Sequence, residues 1–334
     1  MSDVFIIAEA GVNHNGSIEL AMRLVEAARE AGADAVKFQS FHADQLVSAE
    51  APKAAYQQQA ASKTETQREM LKRLELSDEA HRQILARCQE LGIQFLSTPF
   101  DPERLRFLLS LGMGLLKIPS GEITNLPFLM EAAATGKRII LSTGMSHLHE
   151  VGEALDALVR GGARMQDITV LHCTSQYPTP YEDVNLRAML TIRDRFGVAV
   201  GYSDHTPGTE VAVAAAALGA TVIEKHFTLD RTLEGPDHGA SLTPDELAEM
   251  VRAIRRVSTA LGNGIKRPMP SETENIAVAR KSIVAARSIR KGEPFTAENL
   301  DVRRPGSGIS PMKWFTILAM TAKRDFNQGE EIEL

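Results

Sequence analysis

Residues 199–228 read AVGYSDHTPGTEVAVAAAALGATVIEKHFT: an apolar run of strand-forming residues, an alanine-rich segment opening at Glu210, a glycine at Gly219 and a second strand-like run. This predicts a strand from Ala199 to Asp204, a helix from Glu210 to Leu218 and a strand from Thr221 to Thr228, one βα unit leading into the next. Working outward, the same alternation gives strands at Val4 to Ala10, Ala35 to Ser40, Gln94 to Phe100, Leu115 to Ser120, Arg138 to Gly144 and Ile168 to Ser175. Helices such as Ile18 to Ala31, Glu79 to Leu91, Glu150 to Arg160 and Pro244 to Leu261 lie between or after them, with Ser77 or Asp78 and Thr243 available as N-caps. Many of these helices end at a glycine, where a left-handed backbone costs least. Eight such units close a parallel barrel. An open doubly wound sheet usually has about five or six strands and a glycine-rich phosphate loop after the first, and that loop is missing here. The expected fold is therefore α/β: a (β/α)8 TIM barrel over residues 1–262.

Two stretches depart from the alternation. Between the second strand and its next helix lies a long insert, Phe41 to Leu76, carrying Tyr56 and a glutamine run. It reads either as a surface excursion or, because it leaves the carboxyl end of a barrel strand, as an active-site lid. Residues 263–280 turn polar and proline-containing, like a linker. The tail, 281–334, then contains two echoing segments, Ala286 to Phe295 and Lys323 to Ile332, each read as strand, glycine turn and strand. So small a β-rich unit buries little core alone and needs a surface to dock on.

Composition excludes several function classes. Of 334 residues, 43% are hydrophobic, 24% charged and 5% aromatic, the balance of a soluble globular chain. No apolar run approaches the ~18 residues that span a bilayer, and the opening MSDVFIIAEAG has no basic, cleavable leader. A cytoplasmic address and no membrane partner are expected. The two cysteines, Cys88 and Cys173, are expected to be reduced. A net charge of -6 without a basic stripe makes nucleic acid a poor partner.

The carboxyl ends of barrel strands form the reaction face, and here they are crowded with polar residues. Inward charges at Glu9, Lys37, Lys117 and Glu224 would each cost several kcal/mol unpaired, so they must be paired or used. His205 and His226 end neighbouring strands, where two imidazoles can share one divalent ion. With water and substrate filling its remaining positions, the site suits Mn²⁺, or alternatively Mg²⁺ or Co²⁺, better than closed structural Zn²⁺. Lys37 and Lys117 with the hydroxyls of Ser120, Ser142 and Ser203 form a candidate phosphate cradle. Lys117 also allows a Schiff-base aldolase reading, and the tail allows a non-catalytic carbohydrate-binding one.

The segments Ala8-Glu9-Ala-Gly-Val-Asn13-His14-Asn15-Gly16, Val36-Lys37-Phe-Gln39, Ser97-Thr98-Pro99-Phe100, Lys117-Ile-Pro-Ser120-Gly-Glu122, Leu141-Ser142-Thr143-Gly144-Met145, His172 through Tyr177 to Pro180, Ser203-Asp204-His205, Glu224-Lys-His226-Phe-Thr228 and Gly235-Pro236-Asp237-His238 together resemble the N-acetylneuraminate (sialic acid) synthase family, which includes the N,N′-diacetyllegionaminate and pseudaminate synthases. The tail, with Lys281-Ser-Ile-Val and Arg303-Arg304-Pro305-Gly306, resembles the antifreeze-like SAF domain (β-clip) of those enzymes. The resemblance implies a transferase that condenses phosphoenolpyruvate with an N-acetylated amino sugar, either N-acetylmannosamine or 2,4-diacetamido-2,4,6-trideoxymannose, with C–O cleavage and release of phosphate. It implies phosphoenolpyruvate on Lys37, Lys117, Ser120, Ser142 and Ser203 with Tyr177 nearby, Mn²⁺ on His205 and His226, and Glu9 as the base for water. Gln39 and Asp237 would contact the sugar or water on the metal, Tyr177 would contact the sugar, and so would Arg304 reaching across a domain-swapped homodimer. Ala51 to Gln57 and Glu122 to Pro127 resemble the neuraminate and legionaminate enzymes more than the pseudaminate ones. Three departures stand out: Ser175 and Ser307 where the family carries asparagine, and Ala319-Met320 where Gly-Lys is common. The first bears on one phosphate contact and the others on the tail's contribution.

Overall fold

The computed structural model describes residues 4–48 and 65–334, in two compact units, Met1–Asn263 and Gly264–Leu334. Tyr56, the glutamine run and the Ala51 to Gln57 segment lie outside the described residues.

The first unit is built on eight parallel strands: β1 (Phe5–Gly11), β2 (Ala35–Ser40), β3 (Gln94–Pro99), β4 (Leu115–Ile118), β5 (Arg138–Ser142), β6 (Ile168–Cys173), β7 (Ala199–Asp204) and β8 (Val222–His226). Their order is β3-β2-β1-β8-β7-β6-β5-β4, and β3 packs against β4 at the seam, so the sheet curls round into a TIM-like barrel. The surrounding helices are α1 (Ile18–Glu30), α4 (Asp78–Leu91), α5 (Pro102–Ser110), α6 (Leu126–Ala134), α7 (Leu148–Arg160), α8 (Ala188–Phe196), α9 (Glu210–Ala217) and α10 (Pro244–Leu261). The local signals explain their limits. Ser77 caps α4 by accepting from the Ala80 amide, Thr243 forms a capping box with Glu246 at the start of α10, and Gly92 ends α4 in the left-handed region at φ 67°.

Strands and helices share one apolar core, in which Ile6, Ile7, Leu24, Phe38, Leu96 and Phe227 are fully buried. Cys88 and Cys173 are buried and free. Among the described residues no helix is long and apolar enough to cross a membrane.

The described parts of the insert contain α2 (Ala43–Leu46) and α3 (Gln67–Leu74). Thr66 and Glu69 close a capping box at the start of α3, while Arg68 and Lys72 both reach Asp44 just inside α2, at 2.5 and 3.3 Å. Met70 and Leu74 bury against Val12 and Phe41 in a small cluster separate from the barrel core. This apolar contact seats α3 beside Val12 and Phe41, just past the carboxyl ends of β1 and β2.

The second unit holds α11 (Thr273–Ala279), an antiparallel pair β9 (Ser282–Ala285) and β10 (Leu300–Arg303), and α12 (Trp314–Leu318) around Ile283, Ile289, Phe295, Ile317 and Phe326. The echoing segments do not form two separate hairpins. They pair with each other instead: the Ile289 amide donates to the Phe326 carbonyl at 2.9 Å and the Phe326 amide to that of Ile289 at 2.8 Å. In the same way the Gly292 amide donates to the Ala322 carbonyl and the Gly329 amide to that of Ala285. The internal symmetry is thus a two-fold embrace, because each short segment finds its backbone partners in its copy rather than in itself.

Candidate active site

Strand register assembles the site. Glu9 on β1 stands level with Lys37 on β2 and with His226 on β8, and Ser203 on β7 stands level with Glu224. Residues at these levels point inward, so their charged ends meet inside the barrel mouth. Lys37 Nζ lies 2.6 Å from Glu9 Oε2 and 3.8 Å from Glu224 Oε2, and Lys117 Nζ lies 3.2 Å from Glu224 Oε1. Ser203 Oγ donates to the same Glu224 oxygen at 3.0 Å, Lys37 Nζ donates to Thr98 Oγ1 at 3.0 Å, and Gln39 Nε2 donates to Glu9 Oε1 at 3.4 Å.

All four charged side chains are buried. Truncating any one strands a charge out of water, which typically costs about 3–5 kcal/mol. Burial raises the Glu9 carboxyl to about 7 against the pull of Lys37, and the neighbouring Glu224 adds to the rise. Burial also opposes ionisation of Glu224, but Lys117 and Lys37 outweigh it and hold that acid down to about 2. The environment therefore separates one carboxyl that titrates near neutrality from one that stays ionised, the division a site needs between proton acceptor and fixed charge.

Beside this square stand the two imidazoles. The rings of His205 and His226 are 5.5 Å apart between centroids, and Tyr177 packs against both, at 4.1 and 5.5 Å. His205 Nδ1 donates to the Thr174 carbonyl at 2.6 Å, which fixes the tautomer and leaves Nε2 with a free lone pair. His226 Nδ1 is buried without a hydrogen-bond partner, 3.8 Å from Asp237 Oδ2. Burial holds His205 down to about 4 and, with His205 and Lys37 nearby, holds His226 well below the usual imidazole range. Both rings are thus neutral at physiological pH, the form that ligates a cation. Among the described residues no three His, Cys, Asp or Glu side chains gather as a metal-binding group. The unpartnered His226 Nδ1 and the free Nε2 of His205 are the kind of donors an open cation site uses, and two nitrogens are too few for a closed structural metal. His172 is not part of this pair: it sits at the end of β6 but donates to the Val184 carbonyl at 2.8 Å.

Across the mouth, hydroxyls and an amide converge at the ends of β4, β5 and β6. The Gly144 amide donates to Ser120 Oγ at 2.9 Å, Ser120 Oγ lies 3.3 Å from Cys173 Sγ, and Ser142 Oγ is buried without a hydrogen-bond partner. Gly144 has no room for a side chain, since a Cβ there would lie 2.2 Å from Ser175 Oγ. Ser120, Ser142 and Cys173, with Lys117 alongside, share a cavity of about 460 Å³ with Glu9, Lys37 and the two histidines. One wall of that cavity is apolar: Leu46 and Val47 follow from α2, and Met70, Leu71 and Leu74 come from α3.

Every barrel residue singled out from the sequence, from Glu9, Lys37 and Gln39 through Lys117, Ser120, Ser142, Tyr177 and Ser203 to His205, His226 and Asp237, lines this one cavity. Burial raises the Asp237 carboxyl to about 6. Arg304 belongs to the second unit, where it is exposed and its Nε donates to the Ala279 carbonyl at 3.1 Å. Sequence reading assigned no role to Glu224, which proves to be the hub joining both lysines and Ser203. Thr98 and the apolar wall were missed too. Thr98 lies within β3, level with Gln39 and one inward position beyond the level of Lys37, so register would have put it within reach of that lysine, whereas the wall carries no chemical signature.

The NeuB family profile matches residues 24–266, and the SAF domain profile matches residues 280–332. The N,N'-diacetyllegionaminic acid synthase of Campylobacter jejuni is 50% identical over 332 residues, 99% of either chain. That of Legionella pneumophila is 49% identical over 327 residues, covering 97% of this chain and 92% of its own. Among solved structures, the N-acetylneuraminic acid (sialic acid) synthetase of Leptospira borgpetersenii, in complex with citrate, superposes with a TM-score of 0.72 at 36% identity, covering 82% of this chain and 90% of its own. With a matching profile over most of its barrel and relatives this similar along nearly their whole length, the chain belongs to the NeuB family.

Proposed function

We propose that this protein is a nonulosonate synthase, a transferase that joins phosphoenolpyruvate to 2,4-diacetamido-2,4,6-trideoxymannose and yields N,N′-diacetyllegionaminate and phosphate. The observation that carries this reading is the meeting, in one cavity, of two buried lysine–carboxylate pairs, a hydroxyl ring and two neutral imidazoles. The two lysines and two carboxylates cancel one another, so a phosphorylated carboxylate entering the cavity brings uncompensated negative charge. His205 and His226 would hold a divalent cation, Mn²⁺ in our reading, which would offset that charge and supply Lewis acidity toward the sugar aldehyde.

The chain's own residues divide the remaining work. Lys37 and Lys117 hold the anionic ends of phosphoenolpyruvate, while Ser120, Ser142 and Ser203 surround its phosphate. Gln39, Tyr177 and Asp237 orient the sugar. C3 of phosphoenolpyruvate then forms a bond to the aldehyde carbon, whose π electrons move to the aldehyde oxygen, which takes a proton from solvent and becomes a hydroxyl. Water adds to the electron-poor C2 and gives its proton to Glu9. The resulting tetrahedral centre breaks its bond from C2 to the bridging oxygen, phosphate departs with that oxygen and with the proton of the C2 hydroxyl, and C2 becomes a ketone.

Identity to the two legionaminic acid synthases supports the sugar assignment, as does the apolar wall of Leu46, Val47 and Leu71, which suits a 6-deoxy methyl better than a hydroxymethyl group. In a domain-swapped homodimer, Arg304 of the SAF unit reaches the partner's sugar, and the exposed Met312 and Phe315 of that unit become contact residues. The cytoplasm, where phosphoenolpyruvate is made, is the compartment this reaction needs. Lys117 is engaged with Glu224, so its amine is a poor nucleophile and the Schiff-base reading is not favoured.

Phosphate release from phosphoenolpyruvate tests the reading. The diacetamido sugar should support faster release than N-acetylmannosamine, a chelator should stop it, and His226→Ala should abolish it. Turnover that survives the chelator, with a pyruvate adduct trapped by borohydride, would contradict it.

A further inference from the structure

Behind the two histidines, on the outer face of the same strands, lies a polar cluster that takes no part in the chemistry above. Asp204 and Lys225 are level with each other on β7 and β8, each immediately before one of the histidines. Because side chains alternate along a strand, Ser203 and Glu224 point into the barrel, Asp204 and Lys225 point out beneath α9, and His205 and His226 point in again. Lys225 Nζ donates to Asp204 Oδ2 at 2.7 Å and to the Thr206 carbonyl at 2.5 Å. Asp204 Oδ1 accepts from the Thr206 amide at 2.9 Å and from its hydroxyl at 2.8 Å. Both charged side chains are 0% exposed.

A pair this deeply buried gains little stability over apolar residues of equal volume, since desolvation absorbs most of the Coulombic attraction. What it does supply is direction. The ammonium of Lys225, the residue before His226, grips the residues on both sides of His205, and Thr206 folds back onto Asp204 to complete the ring. We propose that the Asp204–Lys225–Thr206 cluster is a positioning device that fixes the backbones of His205 and His226 relative to each other, and so sets the spacing of the two imidazoles for a divalent cation. This rests on the reading of those histidines as cation ligands. None of the three residues touches the reacting atoms.

The test compares cation affinity with phosphoenolpyruvate affinity in the full-length protein. The double variant Asp204→Asn/Lys225→Met removes both charges together and leaves no buried ion unpaired. Its Kd for Mn²⁺, read from the electron paramagnetic resonance signal of free Mn²⁺, should rise about 10- to 100-fold, the usual effect of losing support behind a ligand. Its Kd for phosphoenolpyruvate, read by calorimetry without metal, should stay near the wild-type value. Thr206→Val, which keeps the ion pair, should shift Mn²⁺ affinity in the same direction by a smaller factor and serves if the double variant does not fold. Folded variants with unchanged Mn²⁺ affinity, or with both ligands weakened equally, overturn the positioning role alone. A wild-type protein that binds no Mn²⁺ overturns the cation reading and this inference with it.

Discussion

At Gly144 the backbone passes so close to the ring of hydroxyls that a single methyl group would lie 2.2 Å from Ser175 Oγ and 2.9 Å from Ser120 Oγ. Gly144→Ala should therefore push apart Ser120 and Ser175 beside the proposed phosphate cradle while leaving Lys37, Glu9 and the imidazoles in place. Steady-state kinetics should show KM for phosphoenolpyruvate raised on the order of tenfold, about 1.4 kcal/mol, with KM for the sugar little changed. An equal rise in both would mean that the hydroxyl ring is not a phosphate site. Individual residues are also where the sequence was most and least informative. The charges at Glu9, Lys37, Lys117 and Glu224 stood out because an inward charge in a parallel strand is expensive. Their partners did not, because pairing across strands depends on register, and a one-residue slip would turn Glu224 away from both lysines. The same reasoning explains why Lys225 and Asp204, one residue along, went unread: only the register shows that they share a level.

Among the elements, α3 is the one whose sequence and placement were hardest to connect. Its amphipathic pattern and Thr66 capping box mark a helix, but its apolar face has no barrel strand to match and instead packs with Val12, Phe41 and Phe100. Long inserts follow no repeat, so neither their path nor the wall they give to the cavity is written in periodicity. Leu74→Ala should remove about 2–5 kcal/mol of packing from this small cluster. Hydrogen exchange should then rise in α3 while the barrel strands stay protected and the thermal midpoint of the barrel hardly moves. Loss of protection throughout the barrel would show that the cluster is part of the main core. The second unit teaches a related lesson. Its repeat was visible as an echo between Ala286 to Phe295 and Lys323 to Ile332, yet the exchange of hydrogen bonds between Ile289 and Phe326 is a long-range choice that a local strand–turn–strand reading could not make.

For the whole molecule, the barrel was the most legible feature, because eight repetitions of one pattern correct one another's errors. The strand expected at Thr221 to Thr228 forms over Val222–His226, and that expected at Ala199 to Asp204 forms over those same residues. Folding also buries ionisable groups outside the cavity chemistry, with a consequence for stability. Burial lowers His14 to about 3 and His81 to about 4, whereas both titrate near ~6.5 when the chain is unfolded. Between those values the unfolded chain binds more protons than the folded one, so acid favours unfolding. Stability is complete above the unfolded value and falls as pH drops from ~6.5 toward 4, each histidine contributing up to about 1.4 kcal/mol per pH unit. The raised Glu9 and Asp237 carboxyls act in the opposite sense over this range, so the test isolates one ring: the fall in urea midpoint from pH 7.5 to pH 5 should be smaller in His81→Gln than in the wild type, and an equal fall in both would mean that His81 is not buried neutral.

The fate of the bridging oxygen of phosphoenolpyruvate in this cavity distinguishes C–O from P–O cleavage. Phosphoenolpyruvate carrying ¹⁸O at that position, incubated with the enzyme, Mn²⁺ and the diacetamido sugar, allows the label to be followed by mass spectrometry of both products. Addition of water at C2 with C–O cleavage predicts that the released phosphate carries the label. Label retained in the keto acid, or no condensation at all, would contradict it.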